Sequence, residues 1–176
     1  SIPAKFGGRI SSVLDINSKT GSKEKFKGSA SIGLLTSSLT LEGPLPGKNT
    51  SYIIGARTTY SDWLLGLLPE KSGYKDGKAG FYDLNASIDH RFDPNNSLAL
   101  TGYFSHDRFR FDEAERYAYQ NASGSLRWTH AFHPDLTATF SAGYDHYRNH
   151  TENTDNPATA YELSFGIDQF YGKADF

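Results

Sequence analysis

Segments of about ten residues in which apolar and polar side chains alternate recur along this chain, and that alternation limits what it can fold into. Tyr82, Leu84, Ala86 and Ile88 interleave with Asp83, Asn85, Ser87 and Asp89. Leu98, Leu100, Gly102 and Phe104 interleave with Thr101, Tyr103 and Ser105, and Leu136, Ala138, Phe140 and Ala142 with Thr137, Thr139 and Ser141. Successive side chains of an extended strand point to opposite faces, so each segment presents one apolar and one hydrophilic row. Eight strands are predicted, at residues 24–34, 37–43, 51–61, 80–92, 97–108, 118–132, 135–147 and 159–170. The expected fold is all-β, an antiparallel meander forming part of a transmembrane β-barrel. Residues 1–21 are read as a separate segment ending in a Lys- and Ser-containing linker, with the barrel strands in 22–176.

The connections sort by parity. Pro44–Thr50, Asp93–Asn96 and His133-Pro134 are tight turns of Pro, Gly, Asn and Asp, and all fall at one end of the meander. Leu64–Ala79, Arg110–Tyr117 and Asn149–Ala158 are longer and charged, and fall at the other, where only the link near Thr36 is short. Outer-membrane barrels have the same asymmetry between periplasmic turns and extracellular loops. They also carry aromatic girdles at both edges of their apolar band. Tyr52, Phe92 and Phe132 are expected near the short turns and Tyr60, Tyr82, Phe104, Tyr144 and Tyr161 near the long loops, all facing outward. From Tyr52 to Tyr60 is ~26 Å of strand, or ~20 Å of depth at a ~40° tilt.

Composition agrees with a wall one residue thick. Hydrophobic residues are only 37% of the 176, aromatics reach 14%, and the mean hydropathy is −0.57. A barrel with a polar lumen needs an apolar side chain only at every second position. The net charge of −2 and the lack of a basic run argue against a nucleic-acid partner. No apolar run approaches the ~20 residues of a membrane helix. With no Cys, thiol nucleophiles, disulfides and Cys-containing zinc sites are excluded. Residues 1–20 do not read as a secretory signal.

Three stretches carry a family likeness: Phe6-Gly7-Gly8-Arg9-Ile10-Ser11-Ser12-Val13-Leu14-Asp15-Ile16, Ser37-Ser38-Leu39-Thr40-Leu41-Glu42-Gly43-Pro44, and Arg57-Thr58-Thr59-Tyr60. In order and spacing they resemble TonB-dependent outer-membrane receptors of Bacteroidetes type. The resemblance implies that the first stretch closes an N-terminal plug, that Glu-Gly-Pro ends the second barrel strand and that Arg-x-x-Tyr lies in the third. Most of the plug, a TonB-contacting box and the later strands of a 22-stranded wall have no counterpart here, so the chain is expected to be a fragment. The implied function is import of a scarce nutrient, whether metal chelate, cofactor, glycan or peptide. The implied location is the bacterial outer membrane, and the implied partners are outer-membrane lipid, the TonB energising complex acting through the plug, the nutrient ligand and a surface lipoprotein.

Arg9, Arg57, Asp83, Asp89, Arg91, Asp107, Arg127 and Asp145 fall in the inward register or the plug segment. They are candidates either for anchoring the plug to the wall or for contacting a solute. No catalytic residue, cofactor or resident metal is expected. His133 belongs to a short turn, whereas His146 and His150 lie at the opposite end, so one ion cannot reach all three. Asp112, Glu113 and Glu115 among Arg108, Arg110 and Arg116 read as a charge-balanced loop rather than an acid/base pair. No nucleophile elbow, phosphate loop or HExxH motif occurs. Gly28, Gly33, Gly55, Gly102, Gly124, Gly143 and Gly166 suit strand curvature, and the Asn-x-Ser triplets at Asn85 and Asn121 lie in strands facing inward. Two other architectures share this pattern: a closed eight-stranded barrel enzyme, and a soluble binding module that buries Leu84, Leu100 and Phe140.

Overall fold

A computed structural model describes residues 19–47, 49–67, 69, 71, 77–110, 114–154 and 157–176. Eight strands form one antiparallel sheet in strict sequence order: β1 (Lys27–Ile32), β2 (Thr36–Pro44), β3 (Thr50–Tyr60), β4 (Lys78–Asp93), β5 (Asn96–Arg110), β6 (Glu115–His133), β7 (Leu136–Asn153) and β8 (Tyr161–Asp175). The predicted meander is therefore present, with each strand close to its expected position. The sheet is not closed: β1 and β8 are its two edges, and the small closed barrel is not formed. A short helix, α1 (Asp62–Leu65), follows β3.

Cross-strand pairing joins the rows of neighbouring strands into two continuous faces. Leu39, Ala56, Leu84, Phe104 and Ala122 stand side by side, and one step along lie Ser38, Arg57, Asp83, Ser105 and Asn121. The apolar face is open, with Leu84 47% and Leu100 52% exposed, while on the polar face Asp83 is 6%, Ser87 7% and Ser105 2% exposed. All the buried polar side chains among the described residues stand on this face, whereas the apolar face buries only the small Gly43 and Ala138; in a one-layer sheet that bias means that the polar face is concave, its side chains shielding one another. This is the reverse of a soluble sandwich: Leu84 and Leu100 are not buried, and Phe140 is only half-buried.

Three expectations are corrected. First, two of the three long loops are shorter than expected, reduced to residues 111–114 and 154–160. β5 runs to Arg110 and β6 starts at Glu115, while β7 runs to Asn153, so His150 and Asn149 lie in a strand. The dyad continues there with charged and aromatic residues, which a search for apolar rows does not register as strand. Residues 61–77 remain the longest stretch of sequence between two strands. Second, β6 and β7 reach 19 and 18 residues, well beyond the ~9–11 that cross a bilayer.

Third, Tyr161 does not face outward. It pairs with Asn153, and β8 places Tyr161, Leu163, Phe165 and Ile167 on the polar face while Glu162, Ser164 and Asp168 join the apolar one. Specific contacts select this register. Asp168 accepts hydrogen bonds from the Tyr144 hydroxyl and from His146 Nδ1, the latter at 2.7 Å, and Phe170 packs on Tyr144 with ring centroids 4.6 Å apart. On the other face Tyr171 covers Gly143, where a Cβ would stand 2.4 Å from the ring. An edge strand, free of a second neighbour, accepts a register that side-chain polar contacts dictate.

The two tightest turns repeat one device. His90 and His130 sit on the apolar face one turn residue from Phe92 and Phe132, with edge-on rings 4.5 and 4.3 Å apart. Each imidazole is held through Nδ1 at 2.7 Å, to Thr50 Oγ1 and Asn96 Oδ1 respectively, and each hairpin has a register shift just before its turn. At the first turn, beyond Phe92, Asp93 accepts 2.7 Å hydrogen bonds from the Asn96 side chain and the Asn95 amide. These bonds, led by that of Asn96, hold its carboxyl below the ordinary carboxylate value of 3.8. A depressed folded-state pKa stabilises the turn above the unfolded value and loses that contribution as pH falls through the folded one. Amide protection at Asn95 is thus expected to be constant at neutral pH and to fall only below pH 3.8; Asp93→Ala should show the low-pH protection at all pH values, as measured by hydrogen exchange.

Candidate functional site

The concave polar face gathers the candidate residues into separate stations. At the short-turn end, residues 19–23 lie against the wall. Glu42 receives the Lys19 ammonium at 2.9 Å on one carboxylate oxygen and the Ser22 amide at 3.1 Å on the other. Gly21 is buried so closely against β3 that a Cβ would stand 2.1 Å from the Tyr52 carbonyl oxygen; only glycine fits. Next to this crossing, Thr20 and Lys23 line a cavity of about 320 Å³ with Asp89, Arg91, Arg127, Ser97 and Thr129. Three of the predicted residues, Asp89, Arg91 and Arg127, are therefore brought together beneath the linker.

Midway along the wall, Arg57 and Asp83 are direct cross-strand partners. Arg57 Nε and Nη2 both donate to Asp83 Oδ2, at 2.9 and 2.5 Å, and the guanidinium lies 5.0 Å from the Phe81 ring centroid. The aspartate side chain is only 5% exposed, whereas the arginine remains half in solvent. Polar contacts continue along the face: Ser87 lies 3.4 Å from Thr101, and the Asn121 side-chain amide donates to Ser105 at 3.1 Å.

Toward the long-loop end, Asp107 faces a 270 Å³ cavity with Phe81, Phe109, Tyr119 and Thr59. Asp145 lines another, of about 340 Å³, with Tyr103, Asn121, Ser123, Tyr147 and Ile167. Arg9 lies outside the described residues, as do Asp112 and Glu113. His133 is separated from His146 and His150 as expected, and no group of three or more metal-ligating side chains occurs among the described residues. His150 Nδ1 instead contacts Ser164 Oγ at 2.8 Å and Glu162 at 3.7 Å.

Two features escaped the sequence. In the sequence Glu42 stands out only as part of Glu-Gly-Pro, because its role depends on a segment some twenty residues upstream. The aromatics of the inner wall, Phe81, Phe109, Tyr117 and Tyr119, stood in the polar phase of the dyad; following that phase through Arg108-Phe109-Arg110 would have found them.

No protein-family model, curated protein or solved structure matches this chain.

Two outcomes follow from these contacts. Arg57→Ala leaves the occluded Asp83 carboxylate without its donor and should lower stability by about 1–3 kcal/mol, toward the low end because the guanidinium is half-solvated. Adding Asp83→Asn should restore most of it, and equal urea midpoints for Arg57→Ala and wild type would refute the coupling. Glu42→Ala should release residues 19–22 from the wall, which a spin label at Thr20→Cys reports as increased mobility at unchanged strand content.

Proposed function

We propose that this chain forms the end of a plug and the first barrel strands of a TonB-dependent outer-membrane importer for a scarce nutrient, and that it is not itself catalytic. The observation that carries this reading is the inverted burial: an apolar face that leaves Leu84, Ile88, Leu100 and Leu126 exposed backs a polar one that buries Asp83, Ser87 and Ser105, in a single-layer antiparallel meander. Water does not favour that arrangement, whereas a hydrocarbon environment outside and a polar lumen inside do. The exposed apolar face carries Tyr52, Phe92 and Phe132 toward the short turns and Tyr82, Phe104 and Tyr144 toward the other end, with aliphatic side chains between, as aromatic girdles require. The linker crossing at Glu42 supports the plug assignment, since a plug that moves must be tethered to the wall by contacts that can break.

In this reading the short turns face the periplasm, the connection 61–77 and the protruding ends of β5–β7 face outward, and the stations around Asp107 and Asp145 lie along the solute path. Energy is supplied from the inner membrane by pulling on the plug. A surface lipoprotein would dock at the outward end.

Because the chain contains no native Cys, single thiols report unambiguously. A fluorophore on Leu100→Cys should be quenched by brominated lipid, and one on the neighbouring Thr101→Cys by an aqueous quencher; aqueous quenching at Leu100 would exclude a membrane wall. A thiol cross-link between Thr20→Cys and Thr129→Cys, which line one cavity, should block uptake of labelled chelates, cobalamin, glycans or peptides by cells while sparing surface binding.

A further inference from the structure

Most carboxylates of the polar face are answered by a neighbour. Asp83 holds Arg57, Glu42 holds Lys19, Asp89 shares its cavity with Arg91 and Arg127, and Glu115 accepts hydrogen bonds from Tyr117 and Asn153. Asp107 and Asp145 neither accept a hydrogen bond nor form an ion pair among the described residues, and each stands among aromatic rings. Phe81 and Tyr119 are the direct partners of Asp107 on the two neighbouring strands, and Phe109 follows two residues along the same face. These four line a cavity of about 270 Å³. Its hydroxyls are engaged: Thr59 Oγ1 lies 3.5 Å from Thr36 Oγ1, and Ser61 donates to the Ala79 carbonyl at 2.9 Å. Gly80 and Arg108 also border it, but register turns the arginine to the opposite face, where its guanidinium lies 3.6 Å from the place of a Gly80 Cβ. Phe81 already carries one cation, the Arg57 guanidinium 5.0 Å from its centroid, which Asp83 neutralises.

We infer that Asp107 and its rings form a binding station for an organic ammonium group, repeated at Asp145 nearer the short turns. This rests on the importer reading, from which it takes that the polar face lines a solute path. A carboxylate only accepts hydrogen bonds and the faces of phenyl rings carry negative potential, so the unfilled groups of the cavity attract a cation. An anionic chelate is repelled there, and a neutral glycan needs several donors and acceptors where one carboxylate is free. A metal ion finds no set of three ligating side chains among the described residues. Pockets for whole drug-sized molecules run to ~300–1,000 Å³, so this cavity suits a head group. The Asp145 cavity, of about 340 Å³, repeats the pattern with Tyr103 and Tyr147 and has no lysine or arginine in its lining. Strand spacing puts the two carboxylates ~16 Å apart. A free quaternary amine and the lysine side chain of a peptide share the ammonium chemistry, and the test separates them.

The test is isothermal titration calorimetry of the full chain in a neutral detergent with choline, with dimethylbutanol as its uncharged carbon isostere, and with N-acetyl-lysine amide. Choline should bind about tenfold more tightly than dimethylbutanol, through the carboxylate and the ring faces. Asp107→Asn with Asp145→Asn should remove that preference. Tyr119→Leu should weaken choline about fivefold and Tyr119→Phe should leave it unchanged. Choline tighter than the lysine amide supports a quaternary solute, and the reverse order a lysine-bearing peptide. Equal binding of choline and dimethylbutanol overturns the inference, as does wild-type choline binding by the Asn pair or no binding of either ammonium probe at tens of millimolar. If the Asn pair does not fold, the comparison of choline with dimethylbutanol on the wild-type chain decides. Lipid quenching at Leu100 without a preference for the ammonium probes overturns this inference alone; aqueous quenching at Leu100 with choline bound overturns the importer reading and leaves the station.

Discussion

Everything in this fold depends on the period of two that backbone pairing imposes on side chains. In an antiparallel ladder, residues directly opposite share a face, so one register fixes which rows become neighbours across the sheet. Once β3 pairs with β4 through Arg57 and Asp83, Leu84 is committed to the opposite face, and the same parity passes through β5, β6 and β7. The outcome is a wall without a core of its own: the two hydrophobic residues buried among the described residues are both alanines, Ala99 and Ala138. Its stability comes from ladder hydrogen bonds, cross-strand pairs and whatever covers its apolar face, not from an apolar interior.

The same rule explains what could be read in advance. The strands, their order and their antiparallel pairing were legible because Leu84, Leu100 and Phe140 mark the dyad and Pro94, Pro134 and the Asn-rich turns punctuate it. That Arg57, Asp83, Asp89, Arg91, Asp107, Arg127 and Asp145 share the polar face followed from parity alone. What parity cannot give is contact along a row or with a distant segment. Arg57 with Asp83 needed the register between two strands, and Glu42 with Lys19 needed the path of a linker. The clustering of Asp89, Arg91 and Arg127 needed both.

β8 shows where apolar patterning loses authority. Its leucine, phenylalanine and isoleucine row is as regular as any other, and sequence reasoning places Tyr161 outward by analogy. The pairing with β7 goes the other way, because Asp168 binds Tyr144 and His146 on one face and Tyr171 fills the gap at Gly143 on the other. Patterning decides a register when burying one row outweighs every local contact. At an exposed edge strand, neither row is buried, and a charged hydrogen bond with a tight aromatic fit is enough to choose.

The long ends of β5–β7 change in chemistry along their length. Through the middle of each strand the dyad reads apolar against polar; past the aromatic row of β5 it reads cationic against aromatic, in Arg108-Phe109-Arg110, and on β6 and β7 charged and polar side chains such as Arg116, Arg148 and Glu152 take over the formerly apolar row. The geometry has not changed, only the chemistry on each face. A change that begins at the same height on neighbouring strands implies that the surroundings change there too, on both faces together. On the proposed reading the outer face passes from hydrocarbon to headgroups, where arginine replaces leucine, and the inner face passes from plug contacts to open vestibule, where Phe81, Phe109 and Tyr119 replace serine and asparagine. On that reading one alternation marks two boundaries, in side chains that hydropathy alone classes as loop.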